Sequence, residues 1–331
     1  MRIREDEKQE IYGKSRQLCI FDVAEFSVHD GPGVRVVVYF QGCNARCDWC
    51  HSPHSQPYCA PLLYNPNFCV GCRRCELVCP NQVHRFNQGK HEVDRSACTQ
   101  CGICIENCPT SVAGVNGSTL HLPTVRLSVA GLLDQIDPYL RITRIKGGIT
   151  LSGGEALLQL DAVEELLAEC KRNGYHTAVE TSGLLPLDTY KKVLPLVDLW
   201  LFGMRVVTGQ KDGWHYQHIN NVLDLLTGEG AEILPRIPMV PGFFDKEDVL
   251  NGITELLGRH SLQTVCLNPW NRNYGHYYEL GGLPLYMSAP SADEIDYCET
   301  KITSLFNQLN FTLYENRTIK ASNDPQGEES L

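Results

Sequence analysis

The sequence predicts an α/β fold in which a parallel sheet curls into a partial barrel and carries a small cysteine-rich domain within its first third. Three observations lead there. Short apolar runs alternate with stretches whose apolar residues recur at helical spacing. That alternation breaks between about Ser55 and Gly117, where small and polar residues surround regularly spaced cysteines. A hydrophobic fraction of 43% over 331 residues is enough for one large domain and a small one.

Taken in order, Val34 to Phe40 reads as a buried strand. Gln82 to Val93 and Thr110 to Leu120 supply short strands to the small domain, which at this size is held by its cysteines more than by a core. A helix is expected over Val125 to Leu140, then a strand at Ile149 to Leu151. Leu157, Leu158, Leu160, Val163, Leu166, Leu167 and Cys170 fall on one helical face, with Glu164, Glu165 and Lys171 opposite and Gly174 placed to stop the helix. Thr177 to Glu180, Val197 to Phe202, Ile233 to Ile237 and Thr264 to Leu267 read as strands. Helices fit near His215 to Thr227 and Lys246 to Gly258. The count is six strands with crossover helices. Residues 19–54 and 118–316 then form the sheet domain, 55–117 the small domain, and 317–331 a polar tail expected to be disordered.

Composition narrows the function. A net charge of −10 gives no basic stripe for nucleic acid. No stretch approaches the roughly 18 apolar residues of a membrane span, so neither nucleic acid nor membrane is an expected partner. Met1 to Glu10 is charged, without a secretory apolar run. Sixteen cysteines in such a chain point to a reducing cytoplasm and to metal ligation, not to disulfides.

Eleven of the sixteen cysteines lie in three clusters. Cys69-x2-Cys72-x2-Cys75-x3-Cys79-Pro80 is repeated as Cys98-x2-Cys101-x2-Cys104-x3-Cys108-Pro109. Both match the run that binds paired [4Fe–4S] clusters, in which the fourth cysteine ligates the other cluster. Crossed ligation would group Cys69, Cys72, Cys75 and Cys108, and separately Cys98, Cys101, Cys104 and Cys79. Zinc is the competing reading of any Cys-x2-Cys pair. The first cluster, Cys43-x3-Cys47-x2-Cys50, offers three thiolates only, which leaves one iron of a cube open. On spacing alone it also admits a zinc site completed by His51.

Asp30-Gly31-Pro32-Gly33-Val34-Arg35, the strand after it, and Gln41-Gly42-Cys43-x3-Cys47-x-Trp49-Cys50-His51 resemble the opening of radical S-adenosylmethionine (SAM) enzymes. More narrowly they resemble the activating enzymes of glycyl radical enzymes, in the subgroup with two ferredoxin-like runs after the triad. Ser152-Gly153-Gly154-Glu155, Glu180-Thr181-Ser182-Gly183 and Arg236-Ile237-Pro238-Met239-Val240-Pro241-Gly242 extend the likeness, which runs from about Phe21 to about Leu280.

The resemblance implies a partial (β/α)6 TIM barrel with an inserted ferredoxin-like domain, and three [4Fe–4S] clusters. Cys43, Cys47 and Cys50 would hold the SAM-binding one. Trp49, Gly153, Gly154, Glu155, Glu180, Thr181, Arg205, Arg236 and Asn271 would contact SAM. In such enzymes the open iron binds SAM, and its reductive cleavage yields methionine and a 5′-deoxyadenosyl radical. That radical takes hydrogen from a glycine Cα on the C-terminal loop of a partner glycyl radical enzyme. Flavodoxin or ferredoxin is the type of electron donor implied. Asp30 would lie near the incoming glycine loop, though Pro32-Gly33 equally suits a type II turn.

The chain departs from the family pattern in three places. Gly203-Met204-Arg205 stands where Asp-x-Lys is common, Asn271 where histidine is common, and Ala156 where proline is common. Two other readings stay open: a radical SAM enzyme using auxiliary clusters on a peptide or small molecule, and, kept open by the lost Asp-x-Lys and histidine, an electron-transfer protein that does not cleave SAM.

Overall fold

Arg35, Val36, Val37, Val38 and Phe40 are all fully buried, the signature of a strand covered on both faces. The computed structural model describes residues 17–111, 118–205, 207 and 213–314, so the expected disordered tail lies outside it, as does part of Thr110 to Leu120. Its strands are β1 (Gln17–Ser27), β2 (Arg35–Phe40), β3 (Leu63–Tyr64), β4 (His84–Asn87), β5 (Lys90–Val93), β6 (Leu120–His121), β7 (Val125–Ser128), β8 (Gly148–Gly153), β9 (Thr177–Thr181), β10 (Leu199–Gly203), β11 (Ile233–Pro238), β12 (Thr264–Asn268) and β13 (Thr312–Leu313).

The strands β2, β8, β9, β10, β11 and β12 lie side by side in chain order and all pair in parallel. These are the six strands expected from the sequence. Helices Leu160–Arg172, Leu187–Val193, Trp214–Gly228 and Glu247–Arg259 connect them, each laying an apolar face on the sheet. The sheet continues to nine strands: β13 pairs in parallel with β12, and on the other side β1 pairs antiparallel with β2 and β7 antiparallel with β1.

Neither β1 nor β7 was expected. β1 mixes buried and exposed positions without clean alternation, so its pattern was silent. Val125 to Ser128, read as the first helical turn, instead pairs with Gln17 to Ile20. The reason is Ser128, whose hydroxyl caps the helix by accepting the Gly131 N–H at 3.0 Å, so the helix runs Val129–Thr143. Leu157 and Leu158 likewise sit in a 3-10 turn, Ala156–Gln159, ahead of the helix that begins at Leu160.

Opposite ends of this row of strands meet. Arg236 of β11 reaches Asp30 Oδ1 at 3.4 Å and the His29 carbonyl at 3.2 Å, both in the turn before β2. Tyr274 and Tyr278, after β12, donate to the Asp48 carbonyl after β2 at 3.1 and 3.3 Å. The sheet therefore curls over one end. Between β2 and β8 the chain forms two small antiparallel pairs, β3 with β6 and β4 with β5, and short helices Arg74–Val78 and Ile103–Glu106. Their shared core is Leu62, Cys75, Val83, Cys104, Ile105 and Leu120, so cysteines are part of it.

The turn into β2 needs its last glycine. Gly33 has φ +75°, and a Cβ there would fall 1.4 Å from the Lys146 carbonyl oxygen. Gly33→Ala is expected to destabilise the chain by at least about 2 kcal/mol. Gly258→Ala, in a helix with nothing within 4 Å of the added methyl, is expected to stabilise it by up to about 1 kcal/mol. Urea denaturation of both variants checks the pair.

Candidate active site

Parallel β/α units gather functional groups at the carboxyl ends of their strands. Here a cavity of about 670 Å³ opens at that end. It takes Cys43, Cys47, Trp49 and Cys50 from the loop after β2, Gly153 and Gly154 from β8 and its loop, and Glu180 from β9. Arg205 follows β10, Arg236 lies in β11, and Asn268 and Asn271 come at and after the end of β12. The size suits a small-molecule cofactor.

The loop carrying the triad is fastened from several sides. Its chain doubles back so that the Gly42 N–H bonds the Ser55 carbonyl at 2.8 Å, and the Cys43 N–H bonds the Gln56 carbonyl at 3.1 Å. Trp49 packs on Phe243 and Phe244, ring centroids 4.6 and 5.3 Å away. Gly154 lies so close that a Cβ there would meet the Gly42 oxygen at 2.0 Å. Gly154 is thus required by backbone packing on the triad loop as well as by its place in the cavity wall.

The cavity floor is a buried ion network. Glu180 pairs with Arg205, accepts from Ser152 Oγ at 2.5 Å, and faces Arg236 Nη1 at 3.3 Å. Arg236 also pairs with Asp30. Burial pushes the Glu180 carboxyl up, but Arg236, Arg205 and the Ser152 hydrogen bond outweigh it and hold it at about 2. Glu180 in turn raises Arg205 against burial, with the three triad thiols adding to the effect. Those thiols are themselves pushed up by burial, Cys47 to about 12, so metal binding there must displace protons.

Glu155 and Thr181 stand apart from the other expected contacts: neither lines the cavity. Glu155 is fully buried and its Oε2 accepts from Thr181 Oγ1 at 3.1 Å and from the Ser182 N–H and Oγ at 3.0 Å. It staples the loop after β8 to the end of β9. Residues that the sequence reading passed over also line the cavity, among them Tyr39, Ser152, Tyr274 and Tyr277. Ser152, already inside the quoted Ser-Gly-Gly-Glu segment, was the nearest to being found.

Two smaller cavities lie in the cysteine-rich segment. One is lined by Cys69, Cys72, Cys75 and Cys108, the other by Cys79, Cys98, Cys101 and Cys104. Burial and the neighbouring thiols push Cys75 up to about 11 and Cys104 to about 12. The donor sets fit iron–sulfur clusters better than single ions. Among the described residues only Cys75, His84 and His91 bring three ligand atoms within 4.8 Å of one another. The triad thiols with His51 do not, as one zinc with its short Zn–S bonds would require; nor do the other cysteines.

Residues 61–109 match the family model described as a 4Fe-4S dicluster domain. Most of the chain is similar to activating enzymes. It is 31% identical to the isethionate sulfite-lyase activating enzyme of Desulfovibrio desulfuricans over 84% of this chain and 91% of that one. It is 33% identical to the choline trimethylamine-lyase activating enzyme of Oleidesulfovibrio alaskensis, over 80% and 88%. With the indoleacetate decarboxylase activating enzyme of Tractidigestivibacter scatoligenes the figures are 30%, 76% and 83%. Triad, dicluster segment and these relatives agree, and the chain belongs to the glycyl radical enzyme activating enzymes of the radical SAM superfamily.

Proposed function

We propose that the cavity at the carboxyl end of the sheet binds SAM against a [4Fe–4S] cluster held by Cys43, Cys47 and Cys50. The observation that carries this is the convergence of the three thiols, the Gly153-Gly154 backbone and Arg205 on one cavity. The bound cluster and SAM supply the reductive cleavage whose 5′-deoxyadenosyl radical takes hydrogen from the partner's glycine Cα. The chain's own groups bind and orient. Arg205, between Glu180 and the thiols, takes the methionyl carboxylate, and its fork suits a carboxylate better than an ammonium would. The backbone at Gly153 and Gly154 meets the methionyl amino group. Trp49, clamped by Phe243 and Phe244, offers a face to the adenine, and Asn271 a polar edge to the same nucleoside.

Arg236 holds Asp30, and with it the turn before β2, at the mouth where the partner's glycine loop enters. The Glu180 carboxylate keeps both guanidiniums aimed, while Glu155 and Thr181 act through the loops they join. The curled run of six parallel strands is read as a partial (β/α)6 barrel made of residues 19–54 and 118–316. Residues 55–117 form an inserted ferredoxin-like domain, which supports the same subgroup. Its crossed cysteine sets hold two further [4Fe–4S] clusters, three in all, which relay electrons from a low-potential donor such as flavodoxin or ferredoxin. The partner is a glycyl radical enzyme.

Anaerobic reconstitution is expected to load about twelve irons and as many sulfides per chain; about eight would remove the triad from the ligand set. Reduced with dithionite and given SAM, the loaded chain should form 5′-deoxyadenosine, detected by chromatography. Cys47→Ala should abolish that product and keep about eight irons. Arg205→Ala should weaken SAM binding roughly ten- to hundredfold at unchanged iron content, by calorimetry; an unchanged affinity removes Arg205 from the carboxylate site.

Glu180→Gln leaves the buried Arg236 and the partly buried Arg205 short of a counter-charge and is expected to cost about 3 kcal/mol. The folded carboxyl lies at about 2 against an ordinary 4.5. Its stabilisation is therefore full above pH 4.5 and lost as pH falls towards 2, so the variant should show a flatter acid limb in thermal midpoint against pH.

A further inference from the structure

The two cysteine runs are repeats, but their surroundings are not. His91 lies seven residues before Cys98, and Leu62 lies seven residues before Cys69. His91 lines the cavity of Cys69, Cys72, Cys75 and Cys108, whereas Leu62 lines the cavity of Cys79, Cys98, Cys101 and Cys104. The second cavity has its own imidazole, His84. The two rings join across the wall between the cavities, His84 Nδ1 to His91 Nε2 at 3.0 Å.

The His91 ring touches two thiols. Its outer nitrogen, Nδ1, lies 3.8 Å from Cys69 Sγ, and its Nε2, the nitrogen that meets His84, lies 3.7 Å from Cys75 Sγ. Phe86 stacks on His91 at 4.4 Å with planes 6° apart, and Tyr64 meets it edge-on at 4.5 Å, so the ring cannot turn away. His84 is 1% exposed, and its Nε2 is buried without a protein partner beside the second cavity. A buried imidazole nitrogen left unpaired costs free energy, and a cluster sulfur in that cavity would satisfy it.

Resting on the reading that both cavities hold clusters, we propose that His84 and His91 form a hydrogen-bond bridge between the two clusters that sets their reduction potentials against each other. A neutral imidazole carries one N–H. With one N–H used in the ring-to-ring bond, the pair has a single outer N–H to offer. It points either from His91 Nδ1 to Cys69 or from His84 Nε2 into the second cavity. Hydrogen bonds to sulfur raise a cluster's potential. One cluster therefore gains at the other's expense, and two sites with the same ligand run acquire different potentials.

The test is an EPR-monitored redox titration of the reconstituted full-length chain at one pH. The two dicluster signals are identified as those that survive Cys47→Ala. Replacing by Phe the histidine beside the higher-potential site should move that site to more negative values without lowering the other. That histidine is His91 if the Cys69 site is the higher, and His84 if the Cys98 site is; replacing the other ring should leave the higher potential in place. Equal wild-type potentials, no shift on replacing the ring beside the higher site, or two potentials that fall together in both variants overturn the bridge. Without any substitution, pulsed EPR of the reduced wild-type chain should show nitrogen modulation, altered by 15N-histidine, more strongly on the higher-potential signal than on the other; equal modulation on both, or none, also overturns it. A wild-type chain lacking two such signals, or holding a zinc on Cys75, His84 and His91, would sink the cluster reading itself.

Discussion

Two guanidiniums held against two carboxylates, largely out of water, are the constraint on which the cavity depends. Glu180, Arg205, Arg236 and Asp30 come from β9, the end of β10, β11 and the turn before β2. Each belongs to a different segment, so the network fixes the order and curl of the sheet at the end where chemistry is expected. A buried pair contributes little net stability when complete and costs much when broken. Its value is positional: any shift of one strand leaves a charge uncompensated. The network also ends on a cation, because Arg205 pairs with Glu180 and lies within the electrostatic reach of the three triad thiols.

The periodic parts of the chain were legible because burial on both faces leaves an unmistakable apolar run. β2 and β8 through β12 were found this way, and their mutual pairing follows chain order. β1 and β7 were not: β1 mixes buried and exposed positions without clean alternation, and Ser128 turns a helix-like run into a strand, β7, followed by a cap. Among the residues that line the cavity, those marked by chemistry in motifs were named from the sequence. Tyr39, Tyr274 and Tyr277 were not, because nothing in a lone tyrosine separates a cavity wall from a core. Glu155 was named for its motif, yet its carboxylate works between two loops, a role that only the three hydrogen bonds to Thr181 and Ser182 reveal.

The cysteine-rich segment obeys a different rule from the sheet. Its core contains few apolar residues, and Cys75 and Cys104 are among them. Such a region gains its stability by closing around its ligands. That explains why hydrophobic periodicity failed there while cysteine spacing did not: the thiols carry the information that apolar faces carry elsewhere.

The helix His276–Gly281 touches both regions. Tyr274 and Tyr278 hold the Asp48 carbonyl in the triad loop, and Arg95 of the cysteine-rich segment donates to the Leu280 carbonyl at 2.7 Å. Arg95 is held in turn by the Leu62 carbonyl at 2.7 Å. The helix thus acts as a spacer of fixed length between the triad and the paired cysteine runs. Electron tunnelling falls off exponentially with the gap to be crossed, so under the cluster reading proposed above this strut would help to set the transfer rate. The segment between β2 and β8 is long in sequence, yet one short helix contributed from the far end of the sheet bonds it and the triad loop alike.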